Sequence, residues 1–265
     1  MASEPDSPPS AAELADGHEH ALALISAPFV AALIDAARIP VGGSVIDLVC
    51  ATGVATRAAA EAAGPMGRVA GVDTDAGLLD VAADHRAGLV IEWVQADPEA
   101  LPFPSGTFDR VISQQGLQRI PDLRVAVEEA CRVLRVDGGF AGTVWLPLDH
   151  NPFFAAEATA IAALAGRDAL VGVEELPDRI ALVAHELRAG GLVEITTSEV
   201  ATTVEVPADE HFIAEHLATS FWARDLDQAG RARAARAVLA DLAGYRTGSG
   251  TMTLPFASAV VHAFP

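Results

Sequence analysis

From Ser44 to Leu146 the sequence alternates short apolar runs with helix-period stretches, and this alternation restricts the fold more than any other feature of the chain. Ser44–Val49, Arg68–Asp73, Val90–Gln95, Phe108–Ser113 and Phe140–Leu146 read as strands. Thr52–Ala63, Gly77–Asp84 and Leu123–Leu134 read as the helices between them, the first closed by Gly64-Pro65 and the last by Asp137-Gly138-Gly139. Strands joined through helices lie parallel, with helices on both faces of the sheet. Sheets of this kind bind ligands just outside the carboxyl ends of their strands. Attention therefore falls on the residues that follow each strand.

Val45-Ile46-Asp47-Leu48-Val49-Cys50-Ala51-Thr52-Gly53 runs from a strand through a tight turn into a helix. Such a turn normally uses glycine so that backbone can approach a ligand. The free N–H groups of the next helix attract a carboxylate or phosphate. Asp73 ends the second strand, twenty residues after Gly53 (73 − 53). An acid there can accept both hydroxyl protons of a ribose, although a lone Asp at that point is also a common helix cap. Asp97 follows the third strand, placed to take a hydrogen bond from an adenine amino group. In this order and spacing the three features point to a nucleotide pocket.

Composition removes other classes. With 17 basic and 36 acidic side chains the formal charge is −19, which repels a phosphate backbone or an anionic membrane. Arg231, Arg233 and Arg236 cluster, but Asp225, Asp227 and Asp241 surround them. Nucleic acid and membrane partners are not expected. Cys50 and Cys131 have neither disulfide-framework nor metal-ligand spacing, which suits a reduced, cytoplasmic setting. His211 and His216 are five apart rather than the four that places two ligands on one helix face, and His18-Glu19-His20 is too compact to clamp a metal, so no metal is expected.

Outside the alternating region, residues 1–17 are acidic and rich in Ala, Ser and Pro, and read as a disordered tail. A first helix is expected from about His18 to Arg38, with Leu22, Ile25, Phe29, Leu33 and Ala36 on one stripe. After Leu146, Phe153–Leu164, Arg179–Ala189, Ala208–Leu217 and Ala229–Leu242 read as helices. Val193–Val206 and Met252–Phe264 read as strands, the former alternating as a sheet-edge strand does. No repeat or long linker marks a second domain. The expectation is one domain over 18–265, with a core at about 40–146 and a lid plus sheet completion at 147–265.

Over roughly residues 40–155 the chain resembles the class I S-adenosylmethionine (SAM) methyltransferases. Val45–Gly53 is similar to their first motif, V-L-D-x-G-x-G-T-G, and Ala70-Gly71-Val72-Asp73 to the second. Gln95-Ala96-Asp97-Pro98-Glu99-Ala100-Leu101-Pro102-Phe103-Pro104, followed by Phe108-Asp109, resembles the D-A-x-x-L-P-F-x-x-x-x-F-D stretch of the ubiquinone/menaquinone-biosynthesis-like (methyltransferase type 11) subgroup. The resemblance implies an α/β, Rossmann-like seven-stranded mixed sheet with helices on both faces, an N-terminal helix and helical lid insertions. It implies an enzyme with SAM as cofactor and S-adenosylhomocysteine (SAH) as product. Asp73 would hold the ribose and Asp97 lie at the adenine, with Thr74 and Pro98 beside them. The turn, with Asp47, Val49, Ala51 and Gly53, would lie under the methionine moiety, and Gln114 would complete the cofactor set.

The first motif departs from the family where Val49 and Ala51 replace small residues. Valine is an outlier at positive φ. Val49 is therefore expected to keep β-region backbone and leave the pocket intact; the other reading is a strained, weakened site.

Because the sulfonium is already activated, placement supplies much of the rate, and a base is needed only for a poorly acidic acceptor. His150, just after the fifth strand, is the best-placed base, with a solvated loop histidine as the competing reading. Gln115, after the fourth strand, could orient an acceptor or satisfy backbone groups instead. Asn151-Pro152-Phe153-Phe154 looks like the N-P-P-Y/F motif of N-methyltransferases but follows the wrong strand. Phe153, Phe154, Phe212, Phe221 and Trp222 read as core, or in part as an acceptor pocket closed by the first helix and Phe212–Leu226. The leading function is methyl transfer to an O, N or C atom of a small, hydrophobic acceptor. A methyltransferase-like protein that performs a cyclisation or rearrangement, or only binds a ligand, is the alternative. A nicotinamide oxidoreductase would need the G-x-G-x-x-G that Val49–Val54 lacks.

Overall fold

The computed structural model describes residues 11–85, 88–166, 176–220, 223, 226–248 and 250–265. Helix α1 (Ala11–Ala37) leads into β1 (Ser44–Leu48), α2 (Val54–Ala63), β2 (Arg68–Asp73), α3 (Ala76–Asp84), β3 (Ile91–Gln95) and β4 (Phe108–Gln114). Helix α4 (Leu123–Val133) passes directly into β5 (Leu134–Trp145). Then come α5 (Pro152–Ala165), α6 (Leu176–Ala189), β6 (Glu194–Pro207), α7 (Glu210–Thr219), α8 (Gln228–Asp241) and β7 (Thr251–Phe264). Helix α1 begins at Ala11, so the tail expected over 1–17 is shorter by at least its last seven residues; the rest of it lies outside the described residues.

All seven strands form one sheet in the order β3-β2-β1-β4-β5-β7-β6. Strands β1 to β5 pair in parallel, and β7 enters antiparallel between β5 and β6. The mixed, Rossmann-like sheet expected from the sequence is present. Its strand order reverses direction between β1 and β4, which opens the crevice where α/β sheets take their ligands.

Each layer follows from its side chains. Val45, Val69 and Ile112 pack beneath Ala55, Ala59 and Ala63 of α2 and Val30 and Leu33 of α1. The small alanine side chains of α2 allow that helix to lie close to the sheet. On the opposite face Ile46, Leu48, Val111 and Phe140 meet Leu123 and Val127 of α4 and Val183 and Leu187 of α6. A third cluster joins Phe29, Trp145, Phe153, Phe154, Phe212 and Phe256, so α5, α7 and α8 cap the ends of β5 and β7. Asp75, Asp122, Asp209 and Asp227 start α3, α4, α7 and α8 by accepting first-turn N–H groups.

Asp137-Gly138-Gly139 does not sit in a loop after α4, as its composition suggests. It lies inside β5, which shifts register against β4 between Phe108 and Arg110. Two steps along β4 correspond to five along β5, so β5 carries three extra residues here, and two glycines permit the local bend.

Candidate active site

Three consecutive strand ends build the site. After β1 the chain turns through left-handed backbone at Val49 (φ 58), Ala51 (φ 47) and Gly53 (φ 80). The expectation that Val49 stays in the β region is therefore overturned. Hydrogen bonds fix the turn: Cys50 N donates to Val72 O at 3.0 Å, Ala51 N to Asp73 Oδ2 at 2.9 Å and Gly53 N to Cys50 O at 2.9 Å. Holding valine and alanine there costs about 1–2 kcal/mol each. Space for Val49 comes from Gly116, where an added Cβ would stand 2.7 Å from that of Val49. Gly53 is irreplaceable on two counts, its backbone angle and the Trp93 ring, which lies 2.3 Å from where a Cβ would be.

Asp73 is buried and ties two loops together. Its Oδ2 accepts from Ala51 N, and its Oδ1 accepts from Asp75 N at 3.0 Å. Each carboxylate oxygen has a second lone pair, so these bonds leave acceptor capacity for a ligand. Thr74 is exposed, its carbonyl accepting from Gln95 Nε2 at 3.0 Å. Asp97 is exposed and accepts from Glu99 N at 2.9 Å, while Pro98 beside it is buried.

Asp47 is fully buried and accepts from Thr56 Oγ1 at 2.6 Å. Burial pushes its pKa up to about 7, the Thr56 hydrogen bond acts against that rise, and the charge of Asp73 adds to it. The Cys50 thiol is held well above its ordinary range, first by burial and then by the nearby carboxylates, so it stays neutral. Asp47 Oδ1, Thr52 Oγ1 and Gln114 Nε2 are buried with no hydrogen-bond partner among the described residues. Buried polar atoms normally have partners, and orphans gathered at one strand end fit a ligand that brings its own polar groups. Helix α2 adds unsatisfied N–H groups, since Gly53 at its start provides no side-chain cap.

Thr52 and Gln114 line a cavity of about 130 Å³, with Asp47 buried behind it. Val49, Cys50, Ala51, Thr52, Gln114 and Gln115 form its floor, and Val54, Ala55, Gln118, Arg119 and Trp145 its flanks. Ile25 and Ser26 of α1, Phe154 of α5, and His216 and Ser220 at the end of α7 close it. Gln115 is also left-handed (φ 53); its Nε2 donates to Ser258 Oγ at 3.0 Å, and its Oε1 is another buried orphan.

The structure thus brings Asp47, Val49, Ala51, Gly53, Asp73, Gln114 and Gln115 together, with Thr74, Asp97 and Pro98 following along the ends of β2 and β3. It does not bring His150. That side chain is exposed, pairs with Asp149 Oδ1 at 2.8 Å, and is absent from the cavity wall. Its neighbour Asn151 is buried and structural, bonding Leu146 O and both polar groups of Ala257. Phe154 lines the cavity, Phe153 and Phe212 pack in the core, and Phe221 and Trp222 lie outside the described residues. Sequence reasoning missed His216 and Glu157. His216 is buried with Nδ1 2.7 Å from Oε1 of Glu157, a residue with no exposed surface.

Residues 46–142 match the methyltransferase domain family. Over this segment the chain is similar to methyltransferase domains. Over 109 residues the chain is 40% identical to the ubiquinone/menaquinone biosynthesis C-methyltransferase UbiE of Hahella chejuensis, a match covering 40% of this chain and 44% of that protein. The chain therefore matches less than half the length of that relative. Among solved structures, a SAM-dependent methyltransferase from Aquifex aeolicus superposes with a TM-score of 0.52 at 13% identity, over 97% of this chain and 100% of that one. The [4+2]-cyclase SpnF superposes with a TM-score of 0.52 at 16% identity, over 97% of each chain. The fold is shared across this range, and the reaction must be argued from the site.

Proposed function

We propose that this chain transfers a methyl group from SAM to an O, N or C atom of a small, largely apolar acceptor. The observation that carries the reading is the left-handed turn Val49–Gly53, clamped by Asp73 and faced by the buried orphans Asp47 Oδ1, Thr52 Oγ1 and Gln114 Nε2. The turn and the start of α2 offer N–H groups to the methionine carboxylate, and Asp47 and Gln114 offer buried polar atoms to the same end. Asp73 has acceptor capacity for ribose hydroxyls, and Thr74, Asp97 and Pro98 border the position of the adenine. When bound, SAM supplies a methyl group already activated by its sulfonium. The chain's own part is to place the acceptor and exclude water. Ile25, Val54, Trp145 and Phe154 give the cavity a mainly apolar wall suited to a hydrophobic acceptor.

Calorimetric titration with SAM and SAH tests this reading, alongside Asp73→Asn. Loss of a charged acceptor from two backbone N–H bonds, at about 1.5–3 kcal/mol for such a bond, predicts binding roughly 10- to 150-fold weaker in the variant. Absence of binding by the unaltered protein would sink the proposal.

A further inference from the structure

Gln114 and Gln115, side by side at the end of β4, both line the cavity. Successive side chains of a strand point to opposite faces; the left-handed backbone of Gln115 (φ 53) breaks that alternation and lets the second amide reach the same space. The two amides are wired with opposite polarity. Thr143 Oγ1 accepts from Gln115 N at 3.1 Å and donates to Gln114 Oε1 at 3.1 Å, which leaves Gln114 Nε2 as a buried donor with no partner. Ser258 is fully buried, and its hydroxyl donates to Val144 O at 2.9 Å. A carbonyl only accepts, so the Ser258 proton is committed there and its oxygen takes an N–H from Gln115 Nε2 at 3.0 Å. The Gln115 amide is thereby turned with its oxygen the other way, and Oε1 is buried with no partner. An occupant that satisfies it must bring a hydrogen-bond donor.

A methionine carboxylate, which only accepts, suits the donor of Gln114 and not the acceptor of Gln115. The proposed ribose and adenine positions lie at the ends of β2 and β3, on one side of β1. Gln115 is held from the other side, by Thr143 of β5 and Ser258 of β7. Trp145, the register partner of Ser258, lines the cavity there. We infer that Gln115 selects the methyl acceptor through Oε1, that Ser258 is its positioning residue, and that the acceptor is a neutral amine carrying at least one N–H. This rests on the methyl-transfer reading above and specifies it. A hydroxyl must surrender its proton to a base as it reacts, and a carboxamide oxygen is too weak a base to take it. A neutral amine has a lone pair and an N–H on the same atom and keeps that hydrogen while it reacts. The lone pair forms the N–CH3 bond, the C–S bonding pair stays on sulfur, and the single positive charge passes from sulfur to nitrogen. The resulting ammonium still donates to Oε1 and gives up its proton to water after release. Charge developing on nitrogen strengthens that hydrogen bond, so Gln115 favours the transition state over the bound amine.

The probes are N-methylaniline and N,N-dimethylaniline, both uncharged near neutral pH, of which only the first has an N–H. Each is titrated into SAH-loaded protein, and the readout is the ratio of the two Kd values. Gln115→Met keeps the length of the side chain and removes the acceptor oxygen. It should lower the preference for N-methylaniline by roughly 2- to 12-fold, the range of one neutral hydrogen bond, and leave SAH affinity unchanged. Ser258→Ala, the second variant, frees the amide to turn and should lower the same ratio with Gln115 still in place. No uptake of N-methylaniline up to its solubility, or an unchanged ratio in folded Gln115→Met, overturns the inference. A fall in SAH affinity in Gln115→Met overturns it too, because Oε1 would then serve the cofactor's ammonium group. An unchanged ratio in Ser258→Ala overturns the positioning role. The SAH isotherm of the unaltered protein, recorded separately, reports on the methyl-transfer reading alone.

Discussion

Asp47, beneath the β1 turn, and Glu157, in the lid, are both carboxylates with no exposed surface, yet their surroundings differ in kind. Asp47 has one hydroxyl donor, a second carboxylate nearby, and an oxygen with no partner among the described residues. Glu157 has an imidazole at one oxygen, while its Oε2, like Asp47 Oδ1, has no partner among the described residues. The first arrangement accepts instability in the free protein at the place where a charged ligand is proposed to dock. The second pairs a carboxylate with an imidazole across two helices, α5 and α7.

The largest expected effect comes from breaking the lid pair. His216→Leu strands Glu157 as an uncompensated buried acid and should cost about 3–5 kcal/mol in urea unfolding, whereas replacing both residues with leucine should recover most of it. Equal destabilisation by the single and double variants would show that the pair does not act as a unit.

Asp47 should behave in the opposite way. Its folded pKa, about 7, lies above the ordinary 3.8, so the folded state holds a proton that the unfolded state releases across that window. Stability contributed by this group is present below pH 4 and is lost as pH rises toward 7 and beyond, on the order of 4 kcal/mol. Asp47→Asn should flatten the pH dependence of Tm measured without ligand, and an unchanged slope would contradict the assignment.

Gly53→Ala tests the turn itself. Left-handed alanine adds about 1–2 kcal/mol and the collision with Trp93 about 1–3 kcal/mol, with SAM binding expected to fall in parallel. Ala51→Gly is the mildest change and runs the other way. Relief of the backbone at φ 47 should stabilise the protein by up to about 1 kcal/mol and raise Tm by a few degrees, visible by calorimetric scanning.

The same two halves differ in how legible they were. The strand ends from Val45 to Gln115 could be placed because parallel-sheet architecture dictates where ligands sit and because motif spacing is local. The conformation of Val49 could not, because Gly116, 67 residues away (116 − 49), makes room for it. In the lid, helices and strands were readable from periodicity, but the site they close depends on which helix faces meet. His150 followed a strand and drew attention for that reason; His216 was set aside once metal spacing failed. A usable signal was present: Glu157 interrupts the apolar run Phe153–Leu164, and His216 stands between Ile213 and Leu217. A lone acid and a lone histidine, each on an apolar helix face, have to find partners, and each is a natural partner for the other.

Strand β7 separates two neighbours that precede it in the chain, since it lies between β5 and β6. A ribosome adding about 5–20 residues per second needs roughly 5–20 s to travel the 106 residues from Trp145 to Thr251 (251 − 145). During that interval the Phe140–Trp145 edge, which later pairs with Ser258–Ala263, has no permanent partner. A nascent chain of this topology therefore presents an open, apolar sheet edge to the crowded ribosome exit for many seconds, and the order in which its strands are made sets a demand for chaperone protection that the finished molecule no longer shows.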